Sequence, residues 1–360
     1  VSDLVLNVRQ IMQYPLRSPV QPADVVLLQT GGLGGPYAYA SVAGVTGAAQ
    51  DHDVGRNYLH NARFNIQQRG VGAFTVTNSF TADRWLLTYL LDAEVVVNLL
   101  AASDTARSQV GDEWFQNYAS VGFTGNSGAS SFTALSQGIE NVRRLGGKTV
   151  TVSFWALGAG LNLGVSLDQV FGSGTGASAR VNGTGIAVAL TGVWARYMVT
   201  LTLPSTAGKT VGPNSDDRTY LNLWFSAGNG NAALSGGVGV QAGTIGVSGV
   251  QLEVGPAATT LEAVDPQQEL AKCQRYYQLG QIYLAGYSTA VSSLVGVSNP
   301  LITTMRVQPT ATIGTDFSIG VVGARAVAAD GVNFVRLSAT TTGTAGSWVL
   351  NATFNASADL

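Results

Sequence analysis

At 360 residues the chain is long enough for about two or three domains with real cores. Only 11% of residues are charged against 46% apolar, and 45 are glycine, so the surface must be covered by hydroxyl and amide groups or buried against other copies. A net charge of −2 excludes the clustered Lys and Arg of nucleic-acid binding, the lone Cys273 excludes a disulfide framework and a multi-cysteine zinc site, and no basic amphipathic run or unbroken apolar span marks a membrane.

Residues 1–56 stand apart. Pro15, Pro19, Pro22 and Pro36, with the glycine-rich run from Gly31 to Gly35, predict extended pieces and turns rather than a compact core. The opening residues lack the basic flank and apolar block of a signal peptide.

From 57 to 258 short apolar runs alternate with polar residues and are bounded by Gly, Asn and Ser. Val150, Val152 and Phe154 alternate with Thr149, Thr151, Ser153 and Trp155; Tyr197, Val199, Leu201 and Leu203 alternate with Arg196, Met198, Thr200 and Thr202; Leu221, Leu223 and Phe225 alternate with Tyr220, Asn222 and Trp224. Period-two alternation in several runs predicts an all-β fold, an antiparallel jelly-roll β-sandwich with one face of each sheet on a core.

Two short helices are expected to interrupt it. Phe132, Leu135, Ile139 and Val142 fall on one helical stripe ending at Gly146-Gly147, which predicts a helix over 131–145. In the connector 259–280, Asp265 is placed to cap a second helix, with Pro266 at its first position, Gln268 completing a capping box, and Leu270, Cys273 and Tyr277 on one face. Residues 281–360 read as a C-terminal β-rich domain. With Arg306, Arg325, Arg336, Asp316, Asp330 and Asp359 as its only charges, this part is expected to pack against its copies or against the sandwich.

No residue set reads as catalytic. The acidic pairs Asp112-Glu113 and Asp216-Asp217 sit among turn formers, where neighbours on a strand point apart, and glycoside hydrolysis needs two carboxylates about 5–9 Å apart across a sugar. His52, between Asp51 and Asp53, and His60 lack the further ligands a transition metal requires. No Gly-x-Ser-x-Gly elbow is present, and the glycine run has no phosphate-binding lysine. The chain is therefore expected to be neither an enzyme nor dependent on a cofactor.

Binding is better supported. If the apolar set faces the core, the opposite faces carry Trp155, Tyr220, Asn222 and Trp224, with Arg196 joining from a neighbouring strand. Aromatic rings beside amide and guanidinium groups suit sugars, whose C–H faces stack on π-systems while hydroxyls take hydrogen bonds. The competing reading is that these rings are covered by helix 131–145, by the C-terminal part or by a neighbouring chain, or that the strands lie in different sheets. Trp114, Phe115 and Tyr118 form a second aromatic cluster with a core role favoured; Trp85 and Cys273 read as buried structural residues.

A set of short phrases adds a resemblance: Asn61 to Gly70, Thr81 to Trp85, Glu140 to Thr151 running on to Trp155, Gly249 to Gly255 and Cys273 to Tyr277, with Met305 to Thr312 and Ala356 to Leu360 as looser closing segments. In this order they resemble the β-sandwich domain of bacteriophage tail-fibre and receptor-binding proteins, a fold similar to carbohydrate-binding modules. Ala23 to Gln29 with Tyr37-Ala-Tyr39 resembles the N-terminal attachment region of such fibres. The resemblance implies a virion fibre or spike protein, made in the host cytoplasm without a signal peptide and anchored to other virion proteins through residues 1–56. It further implies a homotrimer that recognises a host cell-surface polysaccharide. A purely structural head-fibre, capsid-decoration or tail-assembly protein is the alternative, and a polysaccharide depolymerase a minor one.

Overall fold

The computed structural model describes residues 25–29, 37–41 and 55–360, apart from 290, 291, 293 and 321. The chain divides at Gly55/Arg56. In the N-terminal unit, β1 (Val25–Gln29) pairs antiparallel with β2 (Tyr37–Ser41). The other features expected of residues 1–54, the attachment role and the His52 group included, lie outside the described residues.

The larger unit, Arg56–Leu360, is β throughout apart from short helical pieces. One sheet of six strands runs β10 (Ile186–Ala189), β9 (Asn162–Val170), β12 (Arg218–Ala227), β7 (Phe132–Glu140), β4 (Leu86–Leu90), β3 (Ser79–Phe80). A second, of five, runs β11 (Ala195–Thr202), β8 (Thr149–Leu157), β13 (Ala242–Val254), β6 (Asn117–Thr124), β5 (Ala93–Ala101). All pairings are antiparallel, and from β6 to β13 the chain changes sheet at every connection but β9 to β10. That is a jelly-roll sandwich.

The alternation sets the core. Val150, Val152 and Phe154 of β8 and Leu221, Leu223 and Phe225 of β12 are fully buried, facing one another across the layers with Val121, Leu135, Val165 and Val247. Phe123 of β6 and Phe225 of β12 bring their rings to 6.0 Å across the sandwich. Truncating a core ring such as Phe154 to Ala costs about 3–5 kcal/mol.

One expected helix is a strand. Phe132–Glu140 is β7, central in its sheet between β12 and β4, followed only by a short 3₁₀ turn at Val142–Arg144. The residues between its ends are buried on both faces, Leu135 and Ile139 on the core and Ala134 and Ser136 on the other side, so no alternation shows. The apolar spacing matched a helical period by coincidence, and Gly138 mid-segment weakens a helix. The second helix forms where expected but is shorter: α3 (Pro266–Gln274) has Asp265 Oδ1 accepting from the amides of Gln267 and Gln268 at 2.9 and 3.1 Å and buries Cys273, while Tyr277, expected on the same helical face, already belongs to the following strand. Earlier, α1 (Asp104–Val110) follows β5, and α2 (Ala232–Ser235) follows β12.

The C-terminal part builds a second, smaller core between two three-stranded sheets, β14 (Tyr277–Ser288)–β19 (Gly346–Ser357)–β16 (Thr310–Gly320) and β15 (Leu294–Pro300)–β18 (Phe334–Thr341)–β17 (Val322–Asp330). Ile282, Leu337, Trp348, Leu350 and Phe354 fill it. Gly280 lies under the Phe354 ring, where any Cβ would come within 2.3 Å of it.

Five of the phrases meet where the two cores join. Arg69 stacks on Tyr277 at 3.6 Å and pairs with Asp359; Arg84, 2% exposed, lies over Tyr276 at 3.3 Å. Asp83 accepts from the amide and the side chain of Gln68 at 2.8 and 2.7 Å, while Phe64 stacks on Trp85 at 5.1 Å. Glu140 accepts from Arg275 twice at 3.2 Å and from the Tyr276 hydroxyl at 2.6 Å. Burial first, and the Glu140 carboxylate with it, push that hydroxyl up to about 12, keeping it a donor. The C-terminal part thus packs on the sandwich, one of the two arrangements its few charges predicted.

Candidate functional site

The expected platform of five residues divides in two, because β8 and β11 belong to one sheet and β12 to the other. Register places Arg196 directly beside Trp155 on the outer face of the five-stranded sheet. Tyr220, Asn222 and Trp224 lie on the outer face of the six-stranded sheet, on the opposite side of the sandwich.

On that second face the side chains are engaged by the protein itself. Trp224 is 7% exposed, packed with Phe132, Ala134, Leu234 and Val238, and its indole N–H donates to Ser166 Oγ at 2.9 Å. Asn222 donates to Asp168 at 2.8 Å and accepts from Ser136 at 2.7 Å. The Tyr220 hydroxyl donates to the Leu360 carbonyl at 3.2 Å, and its ring lies beside Arg218 at 4.8 Å. The cover comes from α2 with its following turn and from the C-terminus, not from a helix at 131–145.

Trp155 and Arg196 line a cleft of about 660 Å³. Its walls are the segment Asn57–Ile66, the turn Gly111–Trp114 after α1, and the stretch from Thr260 into α3. Part of the Trp155 ring packs with the cluster of Ala102, Ala106, Val110, Phe115 and Trp194 beneath α1. A bulge in β13 between Ser248 and Gln251 shapes the wall. There Gly249 has φ 61°, and a Cβ on it would meet Leu261 and Trp155 at 3.0 Å, so a larger residue would press on the indole.

Trp114, 55% exposed, also lines the cleft. The aromatic cluster of Trp114, Phe115 and Tyr118 therefore splits: Phe115 is 2% exposed against Trp194, while Trp114 faces the cleft. The turn formers Asp112-Glu113 just before Trp114 were the available signal that this ring sits on a loop tip.

The polar lining is held in place by its own hydrogen bonds. Arg196 donates to Ser153 Oγ at 3.1 Å and to the Thr259 carbonyl; Arg63 pairs with Asp112 at 2.7 Å. The cleft carboxylates serve the backbone: Glu262 accepts from the Asn57 amide at 2.7 Å, Glu269 from the Asn61 amide, Asp265 caps α3, and Asp112 accepts from the Trp114 amide at 2.8 Å. Burial pushes the Glu269 carboxyl up, with the Asn61 amide and Lys272 opposing. The other acidic pair is likewise structural, Asp216 accepting from the Ser173 amide and Asp217 from that of Val142.

Among the described residues no group of three or more His, Cys, Asp or Glu side chains could hold a metal ion, and no helix is long and apolar enough to cross a membrane.

No protein-family model matches the chain, and no curated protein sequence matches it. Solved structures that it resembles include the enzymatically active domain of tailspike protein 4 of bacteriophage CBA120 (13% identity, TM-score 0.32, 55% of this chain and 21% of that one). The family 11 carbohydrate-binding module of a cellulosomal cellulase of Clostridium thermocellum is another (10% identity, TM-score 0.30, 53% of this chain and 99% of the module). A third is the C-terminal family 22 carbohydrate-binding module of Clostridium thermocellum Xyn10B (15% identity, TM-score 0.31, 58% of this chain and 99% of the module). The alignment thus spans about a fifth of the tailspike chain. The likeness to carbohydrate-binding modules and to a phage tailspike domain is distant, and it is one of fold.

Proposed function

We propose that the chain is a virion fibre or spike component that holds a host-surface polysaccharide in the cleft between Trp114 and Trp155. The observation that carries this reading is the cleft itself: two indoles, one wedged by packing and one open to solvent, with guanidinium and amide groups around about 660 Å³. That size falls within the ~300–1,000 Å³ of ordinary ligand pockets. Indole faces take the C–H side of a pyranose while Arg196 and Asn65 orient hydroxyls.

Binding without turnover is the expectation, because the acids lining the cleft each accept from a backbone amide and so fix loops. The phage context rests on the sequence phrases. Self-association is supported by one sheet surface. The outer face of β14–β19–β16 shows Leu279, Tyr283, Tyr287, Phe317 and Ile319 at 47–67% exposure. Between them run Gln281, Asn351, Thr353 and Asn355, with no charged residue at these positions. A large uncharged apolar surface favours burial against another copy, in keeping with a trimer. The same surface is what favours the second reading, a structural virion component without receptor binding.

The test is retention of host polysaccharide by Trp114→Ala. Trp114 is exposed, so the variant folds, and binding is expected to weaken about ten-fold. Unchanged retention and unchanged adsorption to cells would leave only the structural reading.

A further inference from the structure

Behind the cleft is a second, smaller cavity of about 180 Å³. The two share a wall: Asn57, Leu59 and Asn61 line the cleft, whereas Tyr58 and His60 between them line the second cavity. Three guanidinium groups border this space, from Arg84, Arg144 and Arg275, against one carboxylate, Glu140.

The charges are unevenly satisfied. Arg275 and Glu140 neutralise one another through their two hydrogen bonds. Arg144 is exposed, its guanidinium 4.9 Å above the Tyr58 ring. Arg84 is buried in the cavity wall, donating through Nη2 to the Gly138 carbonyl and covering Tyr276, both of which border the space. Its Nε and Nη1 have no hydrogen-bond partner among the described residues, and its nearest carboxylate, on Asp359, stands 4.0 Å from Nη1. His60 Nδ1 is likewise buried without a partner, while its backbone exchanges hydrogen bonds with the Gln137 amide at 2.7 and 2.9 Å. Asp359 thus supplies Arg84 with a counter-charge but takes up none of its free N–H groups, which leaves donors beside an uncommitted ring nitrogen that a further oxyanion can engage.

We propose that this cavity is an oxyanion-binding site, sized for phosphate or for the carboxylate end of one acidic sugar, held by Arg84 and Arg144 with His60 at its edge. Planar guanidiniums match the paired oxygens of either group. The site is independent of the indole cleft and stands or falls separately from it.

His60 supplies the readout. Burial, then Arg84, Lys272, Arg144 and Arg275, push its pKa down to about 3. A bound oxyanion cancels part of that cationic field and raises it. The chain has two histidines, so a His52→Gln variant of the full chain leaves one imidazole signal in the proton NMR spectrum. Titrations at constant ionic strength would use sodium phosphate, sodium glucuronate and, as a neutral control, glucose. The expected result is a saturable shift of the His60 signal with millimolar phosphate or glucuronate, its pKa rising by about a unit or more, and none with glucose. Response to glucuronate alone assigns the site to acidic glycans, response to phosphate alone to free or esterified phosphate, and response to both to either source. Arg144→Gln, a surface change, should weaken binding at least about three-fold. No saturable shift with either anion, an equal shift with glucose, or undiminished binding by Arg144→Gln would overturn the proposal.

Discussion

The outer faces of the two large sheets begin from similar chemistry and end differently. Each carries a tryptophan, an amide or guanidinium group and hydroxyls on a β-strand, yet Trp224 is enclosed and Trp155 borders an open cleft. The six-stranded face is closed at short range by α2 and by Leu360, and its polar groups are paired within the protein. The five-stranded face is overarched at a distance by segments from both ends of the sandwich sequence, 57–66 and 260–269, which leave a gap. What a strand surface can do is set by what lies over it, because a ring with close cover contributes stability and one with a gap beside it offers contact to a ligand.

Substitutions on the two faces should separate these roles. The largest effect is expected of Trp224→Ala, which should lower stability by about 3–5 kcal/mol in urea unfolding while the remaining folded protein retains polysaccharide normally. Loss of binding at full stability would erase the distinction. Next comes pH, through the segment that divides the cleft from the second cavity. His60 titrates near 6.5 when unfolded and at about 3 when folded, so the unfolded chain binds the extra proton. Stability is therefore complete above the unfolded value and falls as pH drops through that window, by roughly 2 kcal/mol between pH 6.5 and 5. His60→Gln should flatten this slope in denaturant titrations at several pH values, and an unchanged slope would place the titration elsewhere.

Trp114→Ala should show the reverse of Trp224→Ala: stability within about 0.5 kcal/mol of the parent, with the ten-fold loss of retention given above. The smallest change is Asp265→Ala. Removing the cap of the helix that borders the cleft should cost about 1 kcal/mol in thermal unfolding and loosen that wall, with no effect on the environment of Trp224. A Tm equal to the parent's would mean that the cap is redundant.

Local chemistry in the sequence determined which residues turn inward and where α3 starts. Alternation at Val150, Val152 and Phe154 and at Leu221, Leu223 and Phe225 is a property of the extended chain, and all six reach the core. Asp265 and Pro266 act within one helical turn, so their effect was legible without knowledge of distant contacts. Where both sides of a strand are covered, as in β7, the pattern that marks a strand vanishes, and a helical spacing could stand in for it. Alternation likewise shows which side of its own sheet a residue takes, not which sheet that is: Trp155 and Arg196 stand side by side on one sheet, and Tyr220, Asn222 and Trp224 lie on the other. The tertiary structure alone decided that division. It also brought Trp114 and Trp155 to one cleft, and Arg84 and Arg144 to one cavity, because those approaches depend on how loops far apart in the chain settle over a finished sheet.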